Sequence, residues 1–98
     1  MRIIAHRILK EFYKKYSDAK SPLEDWYQRT KKSEWKNFAE IKETFNSVNG
    51  VGNQQYVFNI KGNDFRLVVR ILFKQKIVYI RFVGTHNQYD NIEEINKI

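Results

Sequence analysis

A chain of 98 residues with 42% hydrophobic residues is long enough for one domain with a single hydrophobic core. It contains no cysteine, which excludes disulfides, cysteine metal ligands and a cysteine nucleophile. An excess of 18 Lys and Arg over 11 Asp and Glu gives a net charge of +7, which indicates either a solvated basic surface or an anionic partner, nucleic acid or an acidic protein.

The chain starts with a short apolar run, Arg2 to Ala5, that has the length of one brief strand. Apolar residues three and four positions apart then predict a helix from His6 to Tyr16. A second helix is expected to begin at Ser21, because a serine cap followed by Pro22 and Glu24 is typical of a helix start.

A third, shorter helix is predicted from Asn37 to Phe45, with Asn37 as its cap. The segment that follows, Ser47 to Asn53, is rich in Gly and Asn and is predicted to be a loop. This loop separates a mostly helical half of the chain from a half made mostly of strands.

Three consecutive strands are predicted in the second half, at residues 55–60, 65–73 and 77–85. Gly and Asn in residues 61–64 mark a hairpin turn, and residues 74–76 form the second turn. The order is β-α-α-(α)-β-β-β, so we expect one α+β domain over residues 1–98, with helices packed on one face of a small antiparallel sheet.

Alternation along the strands predicts two faces with different chemistry. The face under the helices collects Phe58, Leu67, Val69, Ile71, Val78, Ile80 and Phe82. The opposite face collects Asn59, Arg66, Arg70, Tyr79 and Arg81. Three arginines without an acid favour a surface that binds phosphates, and a plain solvated face is the alternative.

Lysines in the turns add to this charge. Between Gln55 and Tyr89 the chain carries a local net charge of +5, to which Lys61, Lys74 and Lys76 contribute. The candidate RNA-binding residues are Asn59, Lys61, Asn63, Arg70, Lys74 and Lys76.

No metal-ligand spacing, phosphate-binding glycine loop or serine–histidine pair is present, but the residues suit acid–base cleavage of RNA. In that reaction a 2′-hydroxyl attacks the neighbouring phosphate, which requires a base, an acid and cations. Arg66, Arg81 and Lys61 are candidates for the cations. His86 and Tyr89 are the candidates for proton transfer.

Structural explanations remain open for both proton-transfer candidates. His86 is a lone histidine at a strand end, where it can simply hydrogen-bond the backbone, and alternation places it on the helix-covered side. A bulge at Gly84 would turn it outward. Tyr89 can be a packing aromatic, and Trp26 and Trp35 are expected to be core or partner-contact residues.

Two strings in the second half resemble a known family. The segment YVFNIKGNDFRL, residues 56–67, is similar to one that occurs in HigB-type toxins, and IRFVGTHNQYD, residues 80–90, resembles their closing segment. The shared positions are Asn59, Lys61, Asn63, Arg66, Arg81, His86, Tyr89 and Asp90, with no role assigned to Asp90.

The resemblance implies a RelE-like fold and a toxin of a type II toxin–antitoxin system that cleaves mRNA on the ribosome. It implies no metal or other cofactor. The expected partner is a HigA-type helix-turn-helix antitoxin that restrains the toxin and represses the operon. The toxin is therefore expected to contact DNA only indirectly, as part of that complex.

Two other functions remain open. The same basic sheet suits a non-catalytic module that binds RNA or the ribosome, whereas a DNA-binding regulator is disfavoured because the chain has no obvious recognition helix. No apolar run is long enough to cross a bilayer, and the first residues lack the apolar core of a signal peptide. We therefore expect a soluble cytoplasmic protein without a membrane partner.

Overall fold

The computed structural model describes residues 1–98 and confirms an α+β fold, with the first three helices on one face of a five-stranded sheet. The elements in chain order are β1 (Arg2–Ile4), α1 (His6–Lys15), a 3-10 turn (Ser17–Ala19), α2 (Lys20–Lys32), α3 (Phe38–Thr44), β2 (Val48–Gly52), β3 (Gln55–Ile60), β4 (Phe65–Leu72), β5 (Ile77–Thr85), α4 (His86–Asp90) and a 3-10 turn (Ile95–Lys97). The strand order is β1-β5-β4-β3-β2. Strand β1 runs parallel to β5, and the other neighbours are antiparallel.

The predicted loop at residues 47–53 is wrong, because most of it is the edge strand β2. This strand pairs with β3, and a bulge between Gly50 and Gly52 interrupts the pairing. Gly52 has φ +89°, followed by Asn53 at +53° and Gln54 at +63°, which form the turn into β3. An edge strand with a bulge tolerates the glycines that suggested a loop.

The helix starts were predicted with mixed success. Asn37 caps α3 as expected, since its Oδ1 accepts a hydrogen bond of 3.0 Å from the Glu40 N–H. The predicted cap Ser21 is wrong: α2 already begins at Lys20, directly after the 3-10 turn, and no side chain caps it.

The core lies between the helices and the predicted apolar face of the sheet. Phe58, Leu67, Val69, Ile71, Val78 and Ile80 are all buried there, as predicted. Trp26 of α2 packs edge-on against Phe58, with ring centroids 5.5 Å apart, and Trp35 is buried beside the same ring. Both tryptophans are therefore core residues.

A bulge at Arg81 changes the faces of β5. Val69 pairs with Ile80 and Val68 with Phe82, so Arg81 is the extra residue. Beyond it the alternation reverses, and the predicted placement of Phe82 in the core is wrong. Val83 packs against the core instead.

The outer face, which lies opposite the helices, is not an open polar surface. Val57 and Val68 lie on it, and their exposed fractions are only 3% and 0%. The C-terminal segment, residues 91–98, covers this face, and the Gln55 Nε2 donates to the carbonyls of Asn96 at 3.2 Å and Ile98 at 3.0 Å. The sheet is therefore enclosed on both sides over part of its area.

Strand β5 continues directly into the short helix α4, which was not predicted. Thr85 Oγ1 accepts from the Gln88 N–H at 3.2 Å, and Gln88 Oε1 accepts from the Thr85 N–H at 2.9 Å. This capping box starts the helix. Gln88 Oε1 also reaches the space above Gly84, which places α4 over the outer face at the end of β5.

Candidate active site

The β3–β4 turn and α4 meet at one end of the sheet and form an open cavity. The His86 backbone N–H donates to the Asp64 carbonyl at 3.1 Å, which ties the helix to the turn. The cavity beside this contact has a volume of about 500 Å³. It is lined by Tyr16, Asp18, Asn63, Asp64, Phe65, Thr85, His86 and Asn87.

His86 stands on the exposed face of α4 next to this cavity. Its Nδ1 lies 2.7 Å from Asp90 Oδ2, and 47% of its side chain is exposed. Because the Nδ1 is engaged by the carboxylate, Nε2 is the nitrogen left for a substrate. His86 is the first residue of α4 rather than a strand residue, so strand alternation does not set its orientation. It shares the cavity with Tyr16 and Asp18 of the helical layer, and the bulge in β5 lies at Arg81 rather than at Gly84.

Arg66 lies beneath α4 on the outer face of the sheet. It pairs in register with Asn59 on β3 and Gly84 on β5. The residue is only 8% exposed. Its Nη1 donates to the Phe65 carbonyl at 3.1 Å and its Nη2 to Asn63 Oδ1 at 3.5 Å, so the guanidinium is held toward the turn.

Lys61 is held by two carboxylates at the same end of the sheet. Its Nζ lies 2.9 Å from Asp18 Oδ2 and 3.5 Å from Asp64 Oδ2. The hydrogen bond to Asp18 raises the pKa of Lys61 and, in return, lowers the pKa of Asp18. Lys61 is therefore positively charged, and the carboxylates of Asp18 and Asp64 neutralise that charge in this structure.

Asn59 lies nearby on β3 and donates through its Nδ2 to the Ser47 hydroxyl. It also lines a second cavity, of about 390 Å³, next to Trp26 and Arg29. That cavity holds neither of the predicted proton-transfer residues. The cavity beside His86 is accordingly the better candidate for chemistry.

The other two arginines form a separate cleft on the outer face. Arg70 and Tyr79 are register partners on β4 and β5. With Leu72 and Arg81 they line a depression of about 310 Å³. Arg70 donates to Gln54 Oε1 through Nε at 3.4 Å and through Nη2 at 3.1 Å, and Arg81 Nε donates to the Ile98 carbonyl at 3.2 Å.

The predicted site residues therefore do not all lie at the same end of the sheet. Lys74 and Lys76 lie in the β4–β5 turn, at the opposite end of β5 from His86. Lys76 Nζ donates to the carbonyls of Glu34 at 3.3 Å and Trp35 at 3.1 Å, so it fixes the loop after α2. Tyr89 is half-buried on α4, next to Asp90 in the chain.

Six of the eight cavity residues were not predicted as site residues: Tyr16, Asp18, Asp64, Phe65, Thr85 and Asn87. Asp18 and Tyr16 come from the connection between α1 and α2, which is far from the strands in sequence and shows no periodic signal. The position of Asn87 depends on α4. The Thr85-x-x-Gln88 spacing of a capping box was the available signal for that helix.

Chemically, this end of the sheet offers a histidine oriented by a carboxylate and, on β4 opposite Gly84, a guanidinium held by the β3–β4 turn. A histidine can donate or accept a proton near neutral pH, and an arginine stays charged at any physiological pH. The structure has no group of three or more His, Asp or Glu side chains arranged to hold a metal ion. No helix is long and apolar enough to cross a membrane.

Comparison with known proteins defines the class of this fold and site. The profile of a family described as the RelE-like toxic component of a toxin–antitoxin system matches residues 19–92. This is the HigB toxin family, and the chain belongs to it, as the two sequence strings predicted.

Individual relatives agree with this assignment over nearly the whole chain. The mRNA interferase toxin HigB of Escherichia coli (strain K12) is 30% identical over 99 residues, covering 99% of this chain and 95% of the relative. The mRNA interferase HigB of Escherichia coli O157:H7 has the same identity and coverage. The mRNA interferase HigB of Escherichia coli O6:H1 is 24% identical over 94 residues, covering 94% of this chain and 91% of the relative.

Proposed function

We propose that this protein is the toxin of a type II toxin–antitoxin pair and that it cleaves mRNA on the ribosome. Membership of the HigB toxin family and relatives named as mRNA interferases support the reaction class. The observation that carries the proposal is the contact between His86 and Asp90 beside the open cavity. It supplies an oriented proton-transfer group at an open cavity that a strand of RNA can reach.

In the proposed reaction the 2′-hydroxyl of one nucleotide attacks the adjacent phosphate, and the 5′-oxygen leaves. His86 moves one of the two protons through its free Nε2, and Asp90 fixes the orientation of the ring. Tyr89, on the same short helix, is the second proton-transfer candidate. Arg66 supplies fixed positive charge beneath α4, and the exposed Arg81 binds the RNA backbone.

The two arginines act on different parts of the RNA. Arg66 is directed toward the β3–β4 turn, and Arg81 toward the C-terminal segment. Arg66 is therefore assigned to the phosphate near His86, whereas Arg81 and Arg70 bind the chain farther along the sheet. The carboxylates of Asp18 and Asp64 disfavour a second phosphate inside the cavity, because Lys61 only neutralises them in part.

The family also implies an antitoxin partner. We infer that it is of the HigA type, with a helix-turn-helix domain, and that the toxin meets DNA only through that complex. Copurification with the product of a neighbouring gene tests this assignment. Recovery of the toxin alone from cells that express both genes would contradict it.

Growth after induced expression tests the proposed function and its residues. The wild-type protein is expected to arrest growth, whereas Arg81→Ala and Tyr89→Ala relieve the arrest while they accumulate as folded protein. The control is Asp25→Asn, which removes an exposed charge from α2 and does not line the cavity. This variant is expected to stay toxic. If Arg81→Ala and Tyr89→Ala stay fully toxic, the residue assignment is wrong.

A further inference from the structure

Tyr79 lies in the cleft on the outer face of the sheet, well away from the candidate catalytic histidine. It is six positions before Thr85, the last residue of β5, which corresponds to about 20 Å along the strand at roughly 3.3 Å per residue. The cleft has a volume of about 310 Å³, and its four lining residues are Arg70, Leu72, Tyr79 and Arg81. It contains no acid, unlike the cavity beside His86.

The base of this cleft is apolar and the flanking side chains are cationic. Tyr79 is half-buried and lies in register between Ile4 of β1 and Arg70 of β4. Leu72 is half-buried beside it. A half-buried aromatic ring with a fixed neighbour on each side offers a rigid surface on which a flat group can stack.

Both arginines are oriented before any ligand binds. Arg70 is held by Gln54 Oε1 through Nε and Nη2, which leaves its Nη1 available. Arg81 is held only through Nε, by the Ile98 carbonyl, which leaves both terminal nitrogens available. Since the side chains are already fixed, little conformational entropy is lost when a phosphate binds them.

We propose that Tyr79 is a stacking platform for one base of single-stranded RNA, with Arg70 and Arg81 on the adjoining phosphates. An aromatic ring between cations is the arrangement by which proteins hold single strands without reading their sequence. The proposal rests on the proposed function for the identity of the ligand. It adds a site outside the cavity where the bond is cut and commits to single-stranded RNA rather than to duplex RNA.

Binding of a labelled single-stranded RNA oligonucleotide to a His86→Ala background tests the proposal without cleavage. Tyr79→Leu is expected to weaken binding roughly fivefold to a hundredfold, the loss that follows removal of one base-stacking ring. Tyr79→Phe keeps the ring and should bind within about twofold of its parent. Tyr27→Leu, which removes a half-buried tyrosine stacked on His6 at 3.6 Å on the helical side, is the matched control with unchanged affinity.

Salt dependence separates stacking from charge. Arg70→Gln should lower the slope of log affinity against log salt by about 0.7, the value for one phosphate contact on a single strand. Tyr79→Leu should leave that slope unchanged, because stacking releases no counterions. Affinity for duplex RNA should not respond to Tyr79→Leu.

Two results would overturn the stacking site: unchanged affinity in Tyr79→Leu, or a loss in Tyr79→Phe as large as in Tyr79→Leu. Absence of any binding to free single-stranded RNA would overturn it as well. Failure of the proposed function gives a different result: the RNA still binds through Tyr79, but the wild-type protein does not cleave messages.

Discussion

At the level of single residues, the proposed chemistry depends on how one histidine is oriented. His86 and Asp90 are four positions apart on a five-residue helix, which places both side chains on the same face, with 2.7 Å between Nδ1 and Oδ2. A carboxylate on one ring nitrogen selects the tautomer in which the other nitrogen is free to accept a proton. We therefore propose that Asp90, whose role the sequence left open, is a positioning residue for His86.

The first prediction is that Asp90→Asn lowers the rate of message cleavage while RNA affinity stays the same. His86→Ala should lower the rate by roughly a hundredfold or more, the usual contribution of a general acid or base. Asp90→Asn should cause a smaller loss, because the imidazole remains but its tautomer is no longer fixed.

Single-turnover cleavage on purified ribosomes measures the rate, and RNA binding is measured separately. Glu93→Gln removes an exposed carboxylate a few residues farther on and serves as the control. Equal rates for Asp90→Asn and the wild type would rule out the positioning role.

At the level of secondary-structure elements, the end of β5 controls where His86 stands. The bulge at Arg81 reverses the alternation, and the capping box of Thr85 and Gln88 then starts α4. Gly84 lies between the two features, under the ring of Phe82. A Cβ added there would lie 2.5 Å from Phe82 Cζ and 2.7 Å from Gln88 Oε1.

The second prediction is that Gly84→Ala destabilises the protein and reduces its activity. The added methyl group forces Phe82 or Gln88 to move, at a cost of about 1–3 kcal/mol in the free energy of unfolding. Since Gln88 closes the capping box, α4 should also shift and carry His86 away from the cavity.

Chemical denaturation and the cleavage assay measure the two effects. Gly50→Ala in β2 is the matched control, because its Cβ would meet Tyr56 at an ordinary 3.5 Å. An equal, small effect of both substitutions would contradict the packing described for Gly84.

At the level of the whole molecule, the sequence predicted the layers better than the site. Periodicity placed α1, α3, β3, β4 and β5, because each buries one face, and local spacing reports burial directly. The bulge at Arg81 could not be predicted in the same way, since it is defined by pairing with Val68 and Val69 on another strand. The covering of the outer face depends on residues 91–98, whose position follows from contacts with Gln55 and Arg81 rather than from local spacing.

The candidate site, too, could be predicted only in part, because some of its contacts join residues that are far apart in the sequence. The family-like strings pointed to His86 and Arg66, which the structure brings to one end of the sheet. They gave no indication that Lys61 is held by Asp18, because those residues are 43 positions apart. Charge alone likewise grouped Lys76 with the RNA-binding residues, whereas its ammonium group binds two loop carbonyls.

A third prediction concerns the pH dependence of stability and involves the helical hairpin. Glu24 Oε1 accepts from the Tyr13 hydroxyl at 2.6 Å and lies 3.1 Å from His6 Nε2. Partial burial acts to raise the pKa of Glu24, but the hydrogen bonds from Tyr13 and His6 outweigh it and leave the pKa below its usual 4.5. A lowered carboxyl pKa stabilises the folded state above the unfolded value, and this contribution is lost as the pH falls through the folded value.

The wild-type protein should therefore lose stability as the pH falls below about 4.5, and Glu24→Gln should reduce the slope in that range. Thermal unfolding between neutral and acid pH measures this slope. Asp25→Asn, the adjacent and exposed position, is the control. Identical slopes in Glu24→Gln and the wild type would show that Glu24 does not couple the two helices.

The most direct test of the central claim is a map of mRNA 5′ ends in cells that express the wild-type protein or His86→Ala. For the wild type we expect new 5′ ends that keep a fixed phase relative to codons and disappear when translation is blocked. His86→Ala should give none. Intact messages with stalled ribosomes in wild-type cells would contradict cleavage and support a non-catalytic module that binds RNA or the ribosome.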